Sequence, residues 1–218
     1  MPRVIEKLVY KYDELSDTAK EQVHQWFCEH CMNHYWYEYT IDDLKSQAVE
    51  KGLDVDDIQF SGFYSQGSYA SWNGSIRIAD FLDVHLTPEH KDYARYLILR
   101  DLIEDDWVQH RVSVSNRQYR GHATTVEEPE DYTYRAEDAD TMNTGMFKGV
   151  SVEHIGMQID IDSLLSSLHE WMQEEAGDFA RRCYKQLEEE YEWLCSPEQI
   201  AETCEANGWE FNEDGGMP

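Results

Sequence analysis

The chain has 218 residues and carries 45 Asp and Glu against 18 Lys and Arg, a formal net charge of -27. That balance excludes nucleic acid and anionic membrane as direct ligands and favours a basic protein surface as partner. A content of 41% hydrophobic and 13% aromatic residues excludes an acidic disordered tail, and the length suits one domain, or one domain with a helical extension.

Like-sign surface charge also keeps proteins dispersed, and halophilic surfaces are acidic, so the total charge does not name a function. The distribution is more informative: from Asp160 to Asp214 roughly sixteen carboxylates face only Arg181, Arg182 and Lys185. No run reaches the apolar length of a membrane span, and residues 1–6 lack a secretory n-region, so a cytoplasmic setting is expected. The five cysteines, Cys28, Cys31, Cys183, Cys195 and Cys204, are then expected as free thiols.

Residues 4–12 alternate as a strand, and Ser16 or Asp13 follows as a helix N-cap. Ala19, Val23, Trp26, Phe27, His30 and Cys31 recur at helical spacing. A second helix is expected from about Tyr37 through Ile41, Leu44, Ala48 and Val49, stopping at Gly52 in the left-handed conformation. Over 58–78 the period changes to two, with Ile58, Phe60, Gly62 and Tyr64 on one strand, a turn at Gln66-Gly67-Ser68 and a return strand to Ile78, which predicts a β-hairpin. Thr87 and Pro88 read as the N-cap and first residue of a helix running through Tyr93, Tyr96, Leu99, Leu102 and Ile103.

Strands are expected at 108–114, near 120–126 and over 150–161. The acidic, aperiodic segment 127–149 reads as a solvated loop. After Asp160 the longest helix carries Leu165, Leu168, Trp171 or Met172, Ala176, Phe179, Cys183, Leu187, Tyr191 and Leu194 as its apolar stripe. Ser196-Pro197-Glu198-Gln199 reads as a capping box for a last helix that ends at Gly208, before a short strand at 209–211. The fold class is α+β: a small antiparallel sheet with hairpin 58–78 packed by helices, plus a long acidic C-terminal helix. The expected organisation is a core over 1–160 and a helical region over 161–218 packed on it.

Four constellations bear on chemistry. His24, Cys28, Cys31 and His34 combine a CxxC with imidazoles, a zinc-like set, but they lie within an apolar helical stripe, so packing is the expected role and neither metal nor cofactor is assigned. The hydroxyl-rich hairpin supplies Ser61, Phe63, Ser65 and Gln66, which with the cations Arg111, Arg120 and His122 form a candidate ligand pocket; turn chemistry and internal ion pairing are the competing roles. Adjacent acids such as Asp42-Asp43, Asp56-Asp57 and Asp105-Asp106 match no metal-hydrolase motif, and no catalytic residue is assigned. The candidate partner-binding residues are Glu174, Glu175, Asp178, Glu188, Glu189, Glu190 and Glu192 on the long helix, with Glu127, Glu128, Glu130 and Asp131 in the loop.

Residues 8–20, LVYKYDELSDTAK, and 58–67, IQFSGFYSQG, resemble a family of largely uncharacterised proteins encoded by tailed bacteriophages and prophages. The resemblance implies an accessory protein made inside a bacterial cell. In that setting the charge predicts an anti-defence inhibitor that binds the basic, nucleic-acid-binding surface of a CRISPR effector or restriction nuclease, by DNA mimicry or occlusion. The alternatives are a small-ligand protein, either an enzyme or a sponge for a defence signalling nucleotide, and a phage structural or assembly protein. A homodimer is compatible with each.

Overall fold

In the computed structural model, which describes residues 6–30, 32, 35–104, 111–117, 123–126, 151–154 and 157–218, the first helix begins where a 3-10 turn, Tyr12–Glu14, gives way to Ser16. The Ser16 hydroxyl accepts from the Ala19 amide at 3.3 Å, the N-cap bond expected of it, and α1 runs Asp17–His30. Its Ala19, Val23 and Phe27 are buried with Leu15, Ile200, Cys204 and Phe211. These residues belong to one of two compact units, made of Met1–Thr40 and Gln186–Pro218; the other is Ile41–Lys185. The division falls at 40 and 185.

In the first unit the strand expected over 4–12 reduces, within the described residues, to one bridge. Tyr10 and Phe211 exchange amide bonds of 2.8 and 2.9 Å. The same bridge is all that forms of the strand expected at 209–211. The 3-10 turn follows Tyr10 closely, and Asn212 turns to Gly216 at 2.8 Å, so a ladder has no room to extend. Val4 and Ile5 lie outside the described residues.

The last helix (Pro197–Ala206) starts on Ser196, whose hydroxyl accepts from the Gln199 amide at 3.3 Å. The reciprocal half of the expected capping box is absent, because the Ser196 amide donates instead to the Trp193 carbonyl at 3.0 Å, while the Gln199 side chain donates to Glu202 at 3.0 Å. At its end the Trp209 amide reaches the Cys204 carbonyl at 2.9 Å and Gly208 reaches Glu205 at 3.0 Å, with Gly208 at φ 63. This pair of bonds is a Schellman motif, and Trp209 packs on the same core as Cys204.

The second unit is built on a sheet. Helix α2 (Glu38–Val49) buries Leu44 and Ala48 and ends at Gly52, φ 72, as the sequence predicts. Strands β1 (Leu53–Phe60), β2 (Ala70–Arg77), β3 (Arg111–Arg117) and β4 (Ala123–Val126) form one antiparallel sheet in that order. Relative to the expected hairpin, the first strand starts earlier and ends at Phe60, because the backbone of 61–69 is tied up in a hydroxyl-bonded loop.

Ile58 pairs with Trp72, and both are buried. A bulge at Asp56 places two residues of β1 opposite Gly74 and lets the chains approach closely. Helix α3 (Ile78–His85) follows directly, burying Ile78, Phe81 and Leu82; the sequence reading had no element there. The helix expected from Thr87 starts instead at Tyr93, as α4 (Tyr93–Glu104), since residues 87–92 close two turns, His90 to Thr87 at 2.9 Å and Tyr93 to His90 at 3.0 Å. The single strand expected over 150–161 is a hairpin, β5 (Ser151–His154) with β6 (Met157–Asp160).

Helix α5 (Ile161–Leu194) matches the expected long helix in extent and stripe. Leu164, Leu165, Leu168, Met172, Ala176, Phe179, Ala180, Cys183 and Leu187 are buried. Met172, not Trp171, takes the central position. The Trp72 indole crosses from the sheet to donate to the Ala176 carbonyl at 3.1 Å and meets Phe179 edge-on at 5.9 Å. The last helix is α6 in chain order.

Gly74 supports a specific test. A Cβ there falls on the carbonyl oxygen of Asp54, which is backbone and cannot swing away, whereas a Cβ at Gly208 meets nothing within 4 Å. Gly208→Ala is expected to cost about 1 kcal/mol, the left-handed penalty alone. Gly74→Ala is expected to cost clearly more, and urea denaturation of both variants measures the difference.

Candidate functional site

The acidic residues assigned to partner binding fall into two groups. In the second unit Glu174 is exposed, Glu175 is half-buried with a carboxylate oxygen 3.7 Å from His85 Nδ1, and Asp178 pairs with Arg181 one turn on. Two of these three carboxylates thus serve internal contacts. In the first unit Glu189 and Glu192 are exposed, and Glu188 and Glu190 are half-buried. Glu127, Glu128, Glu130 and Asp131 lie outside the described residues, with the loop 127–149 that holds them.

The segment Gln186–Pro218 contains no Lys, Arg or His, and carries Glu188, Glu189, Glu190, Glu192, Glu198, Glu202, Glu205, Glu210, Glu213 and Asp214. Lys11 reaches it from outside, 3.4 Å from Glu210 and 3.3 Å from the Gly208 carbonyl. Elsewhere four arginines pair with the chain's own acids: Arg77 with Asp80 at 2.7 Å, Arg95 with Asp92 at 3.4 Å, Arg100 with Asp83 at 3.0 Å and Arg111 with Asp54 at 3.2 Å. Each such pair at a wet surface adds little stability. The segment 186–218 itself contributes ten carboxylates and no cation.

The hairpin residues are used in the turn. Ser65 and Ser68 hydroxyls bond each other at 2.9 Å, the Ser65 amide donates to Ser68 Oγ at 3.1 Å, and Ser61 Oγ accepts from Tyr69 at 3.0 Å. Phe63 packs on Phe60 at 5.9 Å and Tyr184 at 5.5 Å, while Tyr64, at φ 63, leaves its ring 70% exposed. Arg111 pairs in register with Arg77, seven residues along β2 from the loop, or roughly 20 Å at about 3.3 Å per residue. Ser61, Phe63, Ser65 and Gln66 are therefore not brought to Arg111. Arg120 and His122 lie outside the described residues.

His24 and Cys28 share a face of α1, but the His24 ring nitrogen bonds the Cys195 carbonyl at 2.7 Å. Cys31 and His34 lie outside the described residues, and among those described no three His, Cys, Asp or Glu are placed to hold a metal ion. What sequence reasoning missed is the company these residues keep. Tyr191 and Cys195 reach them from more than 160 positions away, and Trp36 packs on Tyr191 at 5.7 Å. A second unanticipated group centres on Trp171: His90 stacks on it at 5.0 Å, and Phe81, His85 and Tyr96 surround it. Only the aromatic character of these residues was legible beforehand, since the pairings join separate elements.

The electrostatics of these groups run away from activated chemistry. Burial pushes Cys183 up to about 12, against a smaller opposing pull from Arg182. Burial and then Asp92 push Tyr96 up to about 12, and burial followed by a hydrogen bond with Cys195 does the same for Tyr191. A reactive thiol or phenol needs the opposite shift.

A protein-family model described as a domain of unknown function, DUF8835, matches residues 36–197. No curated protein matches the chain, and no solved structure matches it.

Cys183 gives a pH test. Its thiol stays protonated in the folded chain to about 12 but ionises near 9 when unfolded, so its contribution is complete below pH 9 and is lost as pH rises toward 12. Urea midpoints are expected to hold to about pH 8.5 and then decline, more shallowly in Cys183→Ala. Rapid labelling of native Cys183 by a thiol reagent at pH 8 would contradict this.

Proposed function

This chain belongs to the DUF8835 family, and we propose that it acts by binding a basic surface of another protein through the carboxylates of the C-terminal end of α5, α6 and the residues that follow. The observation that carries the proposal is the stretch Gln186–Pro218, which bears ten carboxylates without Lys, Arg or His. Seven of those carboxylates stand on helices whose other faces are buried: Leu187 in α5, and Ile200 and Cys204 in α6. The display is therefore held in place before a partner arrives, which lowers the ordering cost of binding.

The helix end adds a second support. A helix C-terminus carries partial negative charge and favours cations nearby. The last turn of α5 has no basic residue and instead carries Glu192. Such a placement costs stability in the free protein and is relieved when a cation docks.

The partner that fits is a nucleic-acid-binding protein, whose basic groove is shaped for charge at phosphate density. B-DNA presents one charge per about 1.7 Å of axis, and successive helical residues rise about 1.5 Å. In its finer form the proposal is that of an inhibitor of a bacterial defence nuclease or CRISPR effector, made by a phage and acting in the host cytoplasm. Among the described residues no helix is long and apolar enough to cross a membrane.

The test uses the quadruple variant Glu188→Gln, Glu189→Gln, Glu190→Gln, Glu192→Gln. Affinity capture from bacterial lysate at low and high salt is expected to yield a salt-sensitive basic partner for the parent chain and to lose it for the variant. The free variant is expected to melt at a higher temperature, since about 0.3–1 kcal/mol of unfavourable helix-end charge is removed. Capture that is indifferent to both salt and the substitutions overturns the proposal.

A further inference from the structure

His85 is the last residue of α3, and the proposed contact surface makes no use of it. Its side chain is 12% exposed; Phe81 stacks on it at 4.4 Å and Trp171 meets it edge-on at 6.1 Å. Nε2 lies 3.1 Å from the Lys51 carbonyl, in the turn after α2. A carbonyl only accepts, so Nε2 holds a proton, and in the neutral ring Nδ1 carries a bare lone pair. A carboxylate oxygen of Glu175 on α5 stands 3.7 Å from that Nδ1, so two acceptors meet with no hydrogen between them. The other charged groups of this packing are engaged elsewhere. Asp80 and Asp83, on α3 itself, pair with Arg77 and Arg100, and Asp92 pairs with Arg95. Around the indole also stand Tyr96 and His90, the latter with Nδ1 accepting from the Asp92 amide at 3.1 Å.

We propose that His85 and Glu175 form a proton-operated latch between α3 and α5. A proton taken up at Nδ1 lets the ring donate from both nitrogens, to Glu175 and to the Lys51 carbonyl. A contact between two acceptors then becomes a charge-assisted hydrogen bond, which joins α5, the end of α3 and the turn after α2. The backbone favours the same form: His85 is the basic residue in the last turn of α3, where the helix end carries partial negative charge. His90 gains nothing comparable, because a proton on its Nδ1 displaces the Asp92 amide. Of the two imidazoles beside Trp171, only His85 is thus placed to work as a switch. The latch adds stability on the acid side of the ordinary imidazole range and is released as pH rises through it.

The experiment follows the imidazole nitrogens of the full chain by NMR as pH is lowered from about 8 to about 5.5, the His85 signals being assigned by their loss in His85→Gln. Neutral His85 is expected in the Nε2–H form, which the parent chain reports without any substitution at Glu175. Glu175→Gln, which keeps the shape of the side chain and removes its charge, is expected to move protonation of His85 to lower pH. Urea denaturation gives a second reading. The ratio of the unfolding constant of Glu175→Gln to that of the parent is expected to be about three- to tenfold larger at about pH 5.5 than at about pH 8. A neutral His85 with its proton on Nδ1, a His85 titration that Glu175→Gln leaves in place, or a denaturation ratio indifferent to pH overturns the latch. The proposed function stands or falls separately, on the carboxylates beyond Lys185.

Discussion

The bond from the Trp72 indole to the Ala176 carbonyl, 3.1 Å and fully buried, is the contact on which the second unit depends. Trp72 is central in the sheet, paired with Ile58, and its ring also meets Phe179 edge-on. An indole N–H buried without a partner costs more than the bond itself returns, so the indole must find an acceptor once its ring is inside. A helix interior offers one only where a small side chain exposes the carbonyl, and Ala176 is small. Sheet and helix are thereby located against each other in both rotation and register. The remainder of the stripe, from Leu164 to Cys183, packs around that point.

With the stripe committed inward, the charged residues of α5 have nowhere to go but outward. Helical periodicity alone thus converts an acidic composition into an oriented one. The cations are not distributed to match: several pair with acids of the second unit, as Arg111 does with Asp54, and the chain after Lys185 has none. The acidic field is consequently strongest where α5 ends, where the backbone itself is already negative. A protein shaped only for stability would place lysine or arginine there.

Several elements were readable because their signals are local. Ser16 and Ser196 cap helices through a hydroxyl and an amide three residues on, and Gly52 and Gly208 take the left-handed conformation at helix ends. The extent of α5 followed from a stripe long enough to be unambiguous. Where the reading departed from the structure, a competing local bond decided the matter. Thr87 and Pro88 carry the marks of a helix start, but two turns ending at Tyr93 delay it. The Ser196 amide, which Gln199 was expected to cap, bonds the Trp193 carbonyl instead. Of the candidate sites, the carboxylates on the outer faces of α5 were legible, whereas the pocket joining the hairpin to Arg111 was not sound. Strand pairing puts Arg111 at the far end of the ladder.

By itself the sequence determined the fold class and the acid-rich C-terminal helix, since these follow from periodicity and composition. Tertiary structure alone set His85 against Glu175, which lie ninety positions apart in the chain. It also brought Cys195 to His24 and gathered four rings around Trp171. The physical reason is one of range. Caps, turns and stripes are written within a few residues of chain, but a partner reached across a hundred positions is specified only by the packing of whole elements.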